Sequence, residues 1–361
     1  MNRHRVSFRH LQRLTDDTGI LEHSLGKIPR RREGYSTDDQ ARALWACLEW
    51  MNFVQEEERD ELTGLADTYL SFLLWVQKDD GHFHNNIAYD RTRERETPSD
   101  DCLGRCLWAG ALCLIRLEDE DRRLAAHDMF VKAMARIPDL RHPRGWSFAL
   151  AALSLLIQRR YPLQLEPLAE WTAARLMESY RAHGKPDWHW FEPVVTYSGA
   201  VIPWGLLCGY EAFRRQEWLE AARESLDFLI RLSTNGKGQI RPVGNRGWCS
   251  PGHRPQWDQQ PVDVMKLALA CAKAYEITGN ALYADVVGKC RGWFYGENDS
   301  GALLADPEDG SCCDGLGEHG PNLNQGAEST IAYLLTEAIA RQMSGGENDE
   351  ADSHIVCAGK S

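Results

Sequence analysis

The sequence predicts an all-α chain built as an (α/α)6 barrel, six helical hairpins closed into a double-layered toroid. Three observations lead there. Apolar residues recur with helical spacing along most of the chain, and no convincing pair of hairpin strands interrupts them. The helices are of two kinds, one apolar on a single stripe and one apolar nearly all round. The two kinds alternate.

The one-sided helices form the outer layer. They are predicted over residues 6–15, 61–77, 121–137, 163–180, 216–232 and 280–294. In 121–137 the stripe is Leu124, Ala125, Met129, Phe130, Ala133, Met134 and Ile137, with charges elsewhere. The segments 41–50, 103–115, 146–157, 200–213, 264–275 and 330–339 are apolar on most sides, which requires burial on both flanks. They make an inner ring whose members begin near 38, 100, 143, 196, 259 and 324. An open solenoid fits less well, because it needs a more regular period and polar capping repeats. Loops over 78–98, 187–197, 233–260 and 298–321 precede inner helices, so loops and inner-helix N-termini gather on one rim. One barrel domain over 1–342 followed by a flexible, acidic, Gly-rich tail over 343–361 is the expected organisation.

Composition narrows the partners. Forty-one Lys and Arg against 53 Asp and Glu give a net charge of −12, which argues against nucleic acid or an anionic membrane. No apolar run approaches the ~18–20 residues of a membrane span, and the charged first 40 residues do not resemble a secretory leader. Eleven cysteines, an odd number in a chain too long to need disulfides, fit reduced thiols and a cytoplasmic protein. Thirteen tryptophans suit both a large core and the stacking faces of a sugar site. Neither a cofactor nor an oligomeric state is indicated.

The rim carries the candidate chemistry. Ser36-Thr37-Asp38-Asp39 and Ser99-Asp100-Asp101 each begin an inner helix, with Arg42 and Arg105 one turn further on. Ser36 is placed as an N-cap with Asp39 completing a near capping box. In each pair one acid can cap while its neighbour, about 100° away, faces the barrel axis. Hydrophobic phase selects Asp39 and Asp101 as the axis-facing acids. A helix N-terminus lowers a carboxyl pKa, so both are expected to act as base, nucleophile or sugar ligand. Glu192 instead follows Trp188, Trp190 and Phe191. That apolar setting raises its pKa and suits it to general acid work. Substrate-binding candidates around them are Trp146, Trp190 and Tyr197, then Trp248, His253, Trp257, Asp258, Gln259, Gln260 and Asp263, and finally Asn324, Gln325 and Glu328. Aromatic faces beside amides and carboxylates are the mixture that a carbohydrate requires.

Several words of this sequence resemble a family. They include Thr37-Asp38-Asp39-x-Ala41-Arg42-Ala43-Leu44, Gly104-Arg105-x-Leu107-Trp108, Pro143-Arg144-x-Trp146, Trp190-Phe191-Glu192 and Gln259-Gln260-Pro261-Val262. Ala274-Tyr275-x-x-Thr278-Gly279, Trp293-Phe294-x-Gly296-x-Asn298-Asp299, Asp314-Gly315-Leu316 and Asn324-Gln325-Gly326-Ala327-Glu328-Ser329-Thr330 complete the set. Together they resemble the six-hairpin glycosidase-like toroids often encoded with, or fused to, glycosyltransferases and mannoside phosphorylases. The resemblance runs from about Gly34 to Ala340 and implies an (α/α)6 barrel with a carbohydrate ligand. Two positions depart from the family's pattern. Tyr197-Ser198-Gly199-Ala200 stands where Tyr-Asp-Asn-Ala is expected, and Asp263 stands in place of Glu.

The leading expectation is a glycoside hydrolase acting on an oligosaccharide, a mannoside or glucoside, with Glu192 as acid and Asp39 or Asp101 as the second carboxylate. A sugar epimerase or isomerase would need a base near neutrality, usually His, and His189, His253 and His319 lie in rim loops. A zinc toroid would use Cys249, Cys312, Cys313 and His319, although a vicinal Cys pair chelates one tetrahedral ion awkwardly. A non-catalytic glycan-binding protein would need only the tryptophan-lined cleft.

Overall fold

The computed structural model describes residues 6–95 and 98–356, with side chains to residue 345. Helices alternate between the two layers. The inner ring is α2 (Thr37–Trp50), α4 (Asp100–Arg116), α6 (Pro143–Gln158), α8 (Val201–Phe213), α10 (Pro261–Thr278) and α12 (Ala327–Val356). The outer layer is α1 (Arg9–Leu14), α3 (Glu56–Val76), α5 (Glu120–Met134), α7 (Glu166–His183), α9 (Gln216–Leu232) and α11 (Ala281–Phe294). Each inner helix packs on the next, and α12 returns to α2, which closes the ring. The result is the (α/α)6 barrel. No helix among the described residues is long and apolar enough to cross a membrane.

Composition explains the layering. In α8 every residue from Val201 to Gly209 is buried, whereas α9 buries Trp218, Leu219, Ala222, Leu226 and Leu229 and leaves its charged face to solvent. Most predicted starts lie within a few residues of the observed ones, the α3 start at Glu56 being the widest difference. The acid-rich first turn of α3, Glu56-Glu57-Glu58, belongs to the helix because anionic side chains complement its N-terminal dipole. The helix α12 runs beyond the predicted end of the barrel, and the side chains of most of the 343–361 segment lie outside the described residues.

Strands are where the sequence reading falls short. Four two-stranded antiparallel ladders decorate the rim: β1 (Ser24–Leu25) with β2 (Ile28–Pro29), β3 (Tyr35–Ser36) with β4 (Asn86–Ile87), β5 (Ala305–Asp306) with β6 (Ser311–Cys312), and β7 (Gly315–Gly317) with β8 (Gly320–Asn322). Each strand is two or three residues long, too short for alternation to register. Glycines at positive φ, Gly26 in the first ladder and Gly320 in the last, allow the tight reversals.

The barrel axis is closed halfway down. Trp45 of α2 and Trp204 of α8 belong to opposite sides of the ring, yet their rings lie 6.5 Å apart. Trp108 of α4 wedges against both, at 5.8 and 4.8 Å, and Phe148 of α6 abuts Trp204 at 5.9 Å. This aromatic layer divides the interior into an upper mouth, where the inner helices begin, and a lower one, where they end.

Close helix approach makes the packing testable. A Cβ on Gly205 of α8 would lie 2.7 Å from the Cα and carbonyl oxygen of Ser147 on α6. Gly205→Ala should therefore cost about 1–3 kcal/mol in urea denaturation. Gly64→Ala, on an exposed turn of α3 with nothing within 4 Å, should instead add about 0.5–1 kcal/mol.

Candidate functional site

The upper mouth is built on three arginines, each shared between carboxylates from different segments. Arg42 of α2 reaches Asp39 at 2.7 Å and Glu328 of α12 at 2.8 Å. Arg105 of α4 reaches Asp38 of α2 at 3.0 Å and Asp101 at 3.5 Å. Arg144 of α6 meets Asp101 at 3.3 Å and, on its other side, Glu192 at 3.8 Å. It also donates to Thr196 at 2.8 Å and lies 4.4 Å over the ring of Tyr197. The Tyr197 hydroxyl donates to Asp101 at 2.5 Å.

Two adjoining cavities share Tyr197. One, of about 390 Å³, is lined by Glu22, Asp38, Asp39, Arg42, Arg105 and Glu328, with His23, Gln260, Asp314 and Asn322 among its other walls. The other, of about 450 Å³, is lined by Asp100, Asp101, His142 and Arg144. Arg42 Nε, Arg105 Nε and Asp38 Oδ1 are buried and lack a protein partner. Buried donors and acceptors of this kind can hydrogen-bond the hydroxyls of a sugar. A further cavity of about 620 Å³ opens at the lower mouth, but it holds none of the predicted site residues, and its Glu49–Arg116 and Lys273–Glu211 pairs satisfy one another.

The acids do not titrate alike. Burial opposes ionisation of Asp101, but Arg105, Arg144 and the Tyr197 hydrogen bond outweigh it, so its carboxyl lies below the ordinary value. Burial pushes Glu192 upward against the pull of Arg144. Asp39 corrects the sequence expectation. Burial, with help from Glu328, Glu22 and Asp38, outweighs Arg42 and drives it up to about 7. The N-terminal dipole that was to lower it is worth less than its desolvation inside a cluster of acids. The predicted capping box is absent too, since the Ser36 hydroxyl makes no cap bond and Asp39 turns to Arg42. At the second helix Ser99 does cap, accepting from the Cys102 amide.

Asp263 is a half-buried residue of α10 whose enclosed carboxyl is driven up to about 7 by desolvation. One oxygen accepts from the Ser198 amide, and the other has no protein partner. Ser198 sits at φ 52°, so this bond fixes the left-handed turn that presents Tyr197 to Asp101. One turn along α10, Lys266 is also buried without a hydrogen-bond partner, its ammonium 4.4 Å over Trp45 and 5.0 Å over Phe148. Burial, then Arg105 and Arg42, depress its pKa well below the usual lysine value.

The remaining candidates are placed elsewhere or spent on structure. Trp190 is fully buried against Phe191 and Phe228, and is therefore no stacking platform. Gln259 is buried too, donating to Asp299 and accepting from Trp293. Asp100 ties down the Arg141 and His142 amides, and Trp146 donates to the Leu140 carbonyl. Asp258 pairs with Arg246, His253 closes an exposed turn with Ser250, and Trp257 lines neither upper cavity. The Asn324 side chain accepts from Gly26, and Gln325 holds Ser24 and His10 through its backbone. Trp248 stands beside Tyr197, with ring centroids 6.0 Å apart. Among the described residues no three His, Cys, Asp or Glu side chains are grouped to hold a metal ion, so Cys249, Cys312, Cys313 and His319 are not assembled into one site. His189, His253 and His319 line neither upper cavity, whereas His23 and His142 do. Arg144, Lys266, Glu22 and His23 are the site residues that sequence reasoning passed over.

No protein-family model matches this chain, and no curated protein matches it by sequence. Solved structures do match over nearly its full length. A cellobiose 2-epimerase from Bacillus thermoamylovorans superposes with a TM-score of 0.70 at 10% identity, covering 93% of this chain and 96% of its own. A D-mannose isomerase gives 0.69 at 12% identity, covering 93% and 96%. A GH76 α-mannanase from Bacteroides thetaiotaomicron gives 0.62 at 10%, covering 87% and 88%. The chain has the fold of the six-hairpin glycosidase-like toroids. At these identities the likeness fixes the fold and leaves the reaction to the site.

The desolvated carboxyl of Asp263 sets a pH dependence. Its folded pKa of about 7 lies above the ordinary Asp value of about 4. Its contribution is therefore full below about pH 4 and is lost as pH rises through about 7. Asp263→Asn keeps an acceptor for Ser198 and has no charge to bury. Its urea midpoint should match the wild type near pH 4 and exceed it at pH 8.

Proposed function

We propose that the chain is a glycoside hydrolase acting on a neutral mannoside or glucoside oligosaccharide bound in the upper mouth. The observation that carries this reading is the arrangement around Arg144. It lies between two carboxylates whose surroundings drive them apart, Asp101 toward the ionised form and Glu192 toward the protonated one. Oppositely tuned carboxyls are what acid–base glycoside cleavage requires. Glu192 gives its proton to the glycosidic oxygen as the bond from that oxygen to the anomeric carbon breaks. Asp101 stabilises the oxocarbenium-like centre and takes a proton from the water whose oxygen joins that carbon. Asp39, protonatable near neutrality, becomes a hydrogen-bonding partner for substrate hydroxyls beside Arg42. No cofactor enters this chemistry. The three arginines are each engaged by carboxylates, which favours an uncharged sugar over a phosphorylated one.

A second reading, epimerisation or isomerisation of a sugar, is favoured by one local feature. His23 lines the cavity with Glu22 3.6 Å away, and an imidazole beside a carboxylate is a suitable proton shuttle. The names of the epimerase and isomerase neighbours point the same way, as those of the mannanase and a cellulase point to hydrolysis.

Glu192→Gln and Asp101→Asn should each lower oligosaccharide turnover by about 10²–10⁴-fold. Full turnover in both variants would remove the assignment. Deuterium entering C2 of the sugar from solvent, lost in His23→Asn, would establish the second reading in its place. Arg144 favours the ionised form of both carboxyls, so Arg144→Met should raise both pKa values. Both limbs of the pH–rate profile should then move to higher pH.

A further inference from the structure

Tyr197, the wall common to both upper cavities, lies in a segment pinned on either side of it. Before it, Val195 and Cys249 exchange backbone hydrogen bonds at 2.7 and 3.1 Å, and the Thr196 hydroxyl accepts from Arg144 at 2.8 Å. After it, Ser198 is fully buried at φ 52°, a left-handed conformation that a serine keeps only under constraint. The Ser198 hydroxyl has no partner, so the side chain does not hold the turn. The amide does, by donating to Asp263. Nor is there room for the next residue to shift, since a Cβ on Gly199 would lie 3.1 Å from the Trp190 ring.

These pins are not equivalent. Arg144 touches Asp101 itself, whereas Asp263 lines neither cavity and reaches Asp101 only through Ser198 and then Tyr197. The chain of contacts runs from α10 to α4, which stand opposite each other in the ring of six. It therefore carries the state of one wall across the mouth to the other. We infer that Asp263 is a positioning residue, which sets the Ser198 turn and through it keeps the Tyr197 hydroxyl on Asp101. Its part in the reaction rests on the hydrolase reading above, but the contact does not. Facing Asp101 are Arg105 of its own helix, Arg144 of α6 and, beyond those guanidiniums, Asp38 of α2 and Glu192. Facing Asp263 are Glu328 of α12 and Arg144, with Lys266 one turn along α10.

The test is an NMR titration of the Asp101 carboxyl carbon in protein labelled at its aspartates, the signal being identified by its absence in Asp101→Asn. Asp101 titrates below the ordinary carboxyl value, and Asp263, driven up to about 7, is uncharged there. Removing Asp263 then changes no charge around Asp101, and only the placement of Tyr197 is left to act. Tyr197→Phe keeps the ring against Arg144 and loses the hydroxyl. It and Asp263→Ala should each move the Asp101 titration to higher pH, to the same extent, and the double variant should move it no further. Asp263→Asn keeps an acceptor for Ser198 and should titrate as the wild type does. Asp263→Leu keeps the volume without the acceptor and should follow alanine, which covers an alanine variant that does not fold. A wild-type titration in the alanine and leucine variants overturns the inference. So does additivity in the double variant, or a shift in Asp263→Asn. Turnover is read separately. An acidic limb of the pH–rate profile that stays put while the Asp101 signal moves removes Asp101 from the hydrolysis and leaves the Asp263 assignment standing.

Discussion

The structure depends on closure of the inner ring. Helices apolar on both flanks cannot rest on solvent, so the first inner helix must meet the last. Among the contacts of that seam, one lies in the core and one at the rim. Within the core the Trp50 indole of α2 donates to the Leu334 carbonyl of α12 at 2.9 Å. At the rim Arg42 spans from Asp39 to Glu328. The seam thus joins residues nearly 300 positions apart in sequence, and its rim clasp is a wall of the upper cavity. Fold closure and site assembly are the same event there.

The arginine–carboxylate grid extends that logic around the mouth. Arg105 ties α4 to α2, and Arg144 ties α6 to α4 and to the loop bearing Glu192. Buried ion pairs are costly to assemble and costlier to break, with loss of one partner typically worth about 3–5 kcal/mol. Guanidinium suits the task because it stays charged and can serve two carboxylates at once. The grid is also what separates the acids. A carboxyl that receives two guanidiniums and a phenol, Asp101, remains ionised, while one reached by a single guanidinium amid other acids, Asp39, does not.

Much of the barrel was legible in the sequence because burial on one or two flanks writes itself into periodicity. The Gln216–Leu232 helix carries its stripe so plainly that its limits coincide with the prediction. The rim was harder. Ladders of two or three residues leave no alternation to detect. Helix phase picked out Asp39 and Asp101 as the axis-facing acids, but the sign of the Asp39 shift did not follow from it. It is set first by burial and then by Glu328 and Glu22, all of which only tertiary closure supplies. Trp190 and Gln259 show the converse. Aromatic and amide side chains suit a sugar site and a core equally, and only their neighbours decide. Lys266 did leave a signal, as the one charge within the otherwise apolar run Val264–Ala272. A charge there must be buried.

The tryptophan layer that closes the axis has a consequence for traffic. Trp45 and Trp204 meet from opposite walls, so the toroid is a blind well with a floor and has no through-passage. A polymer cannot thread it from end to end. Whatever binds at the upper mouth must also leave by it.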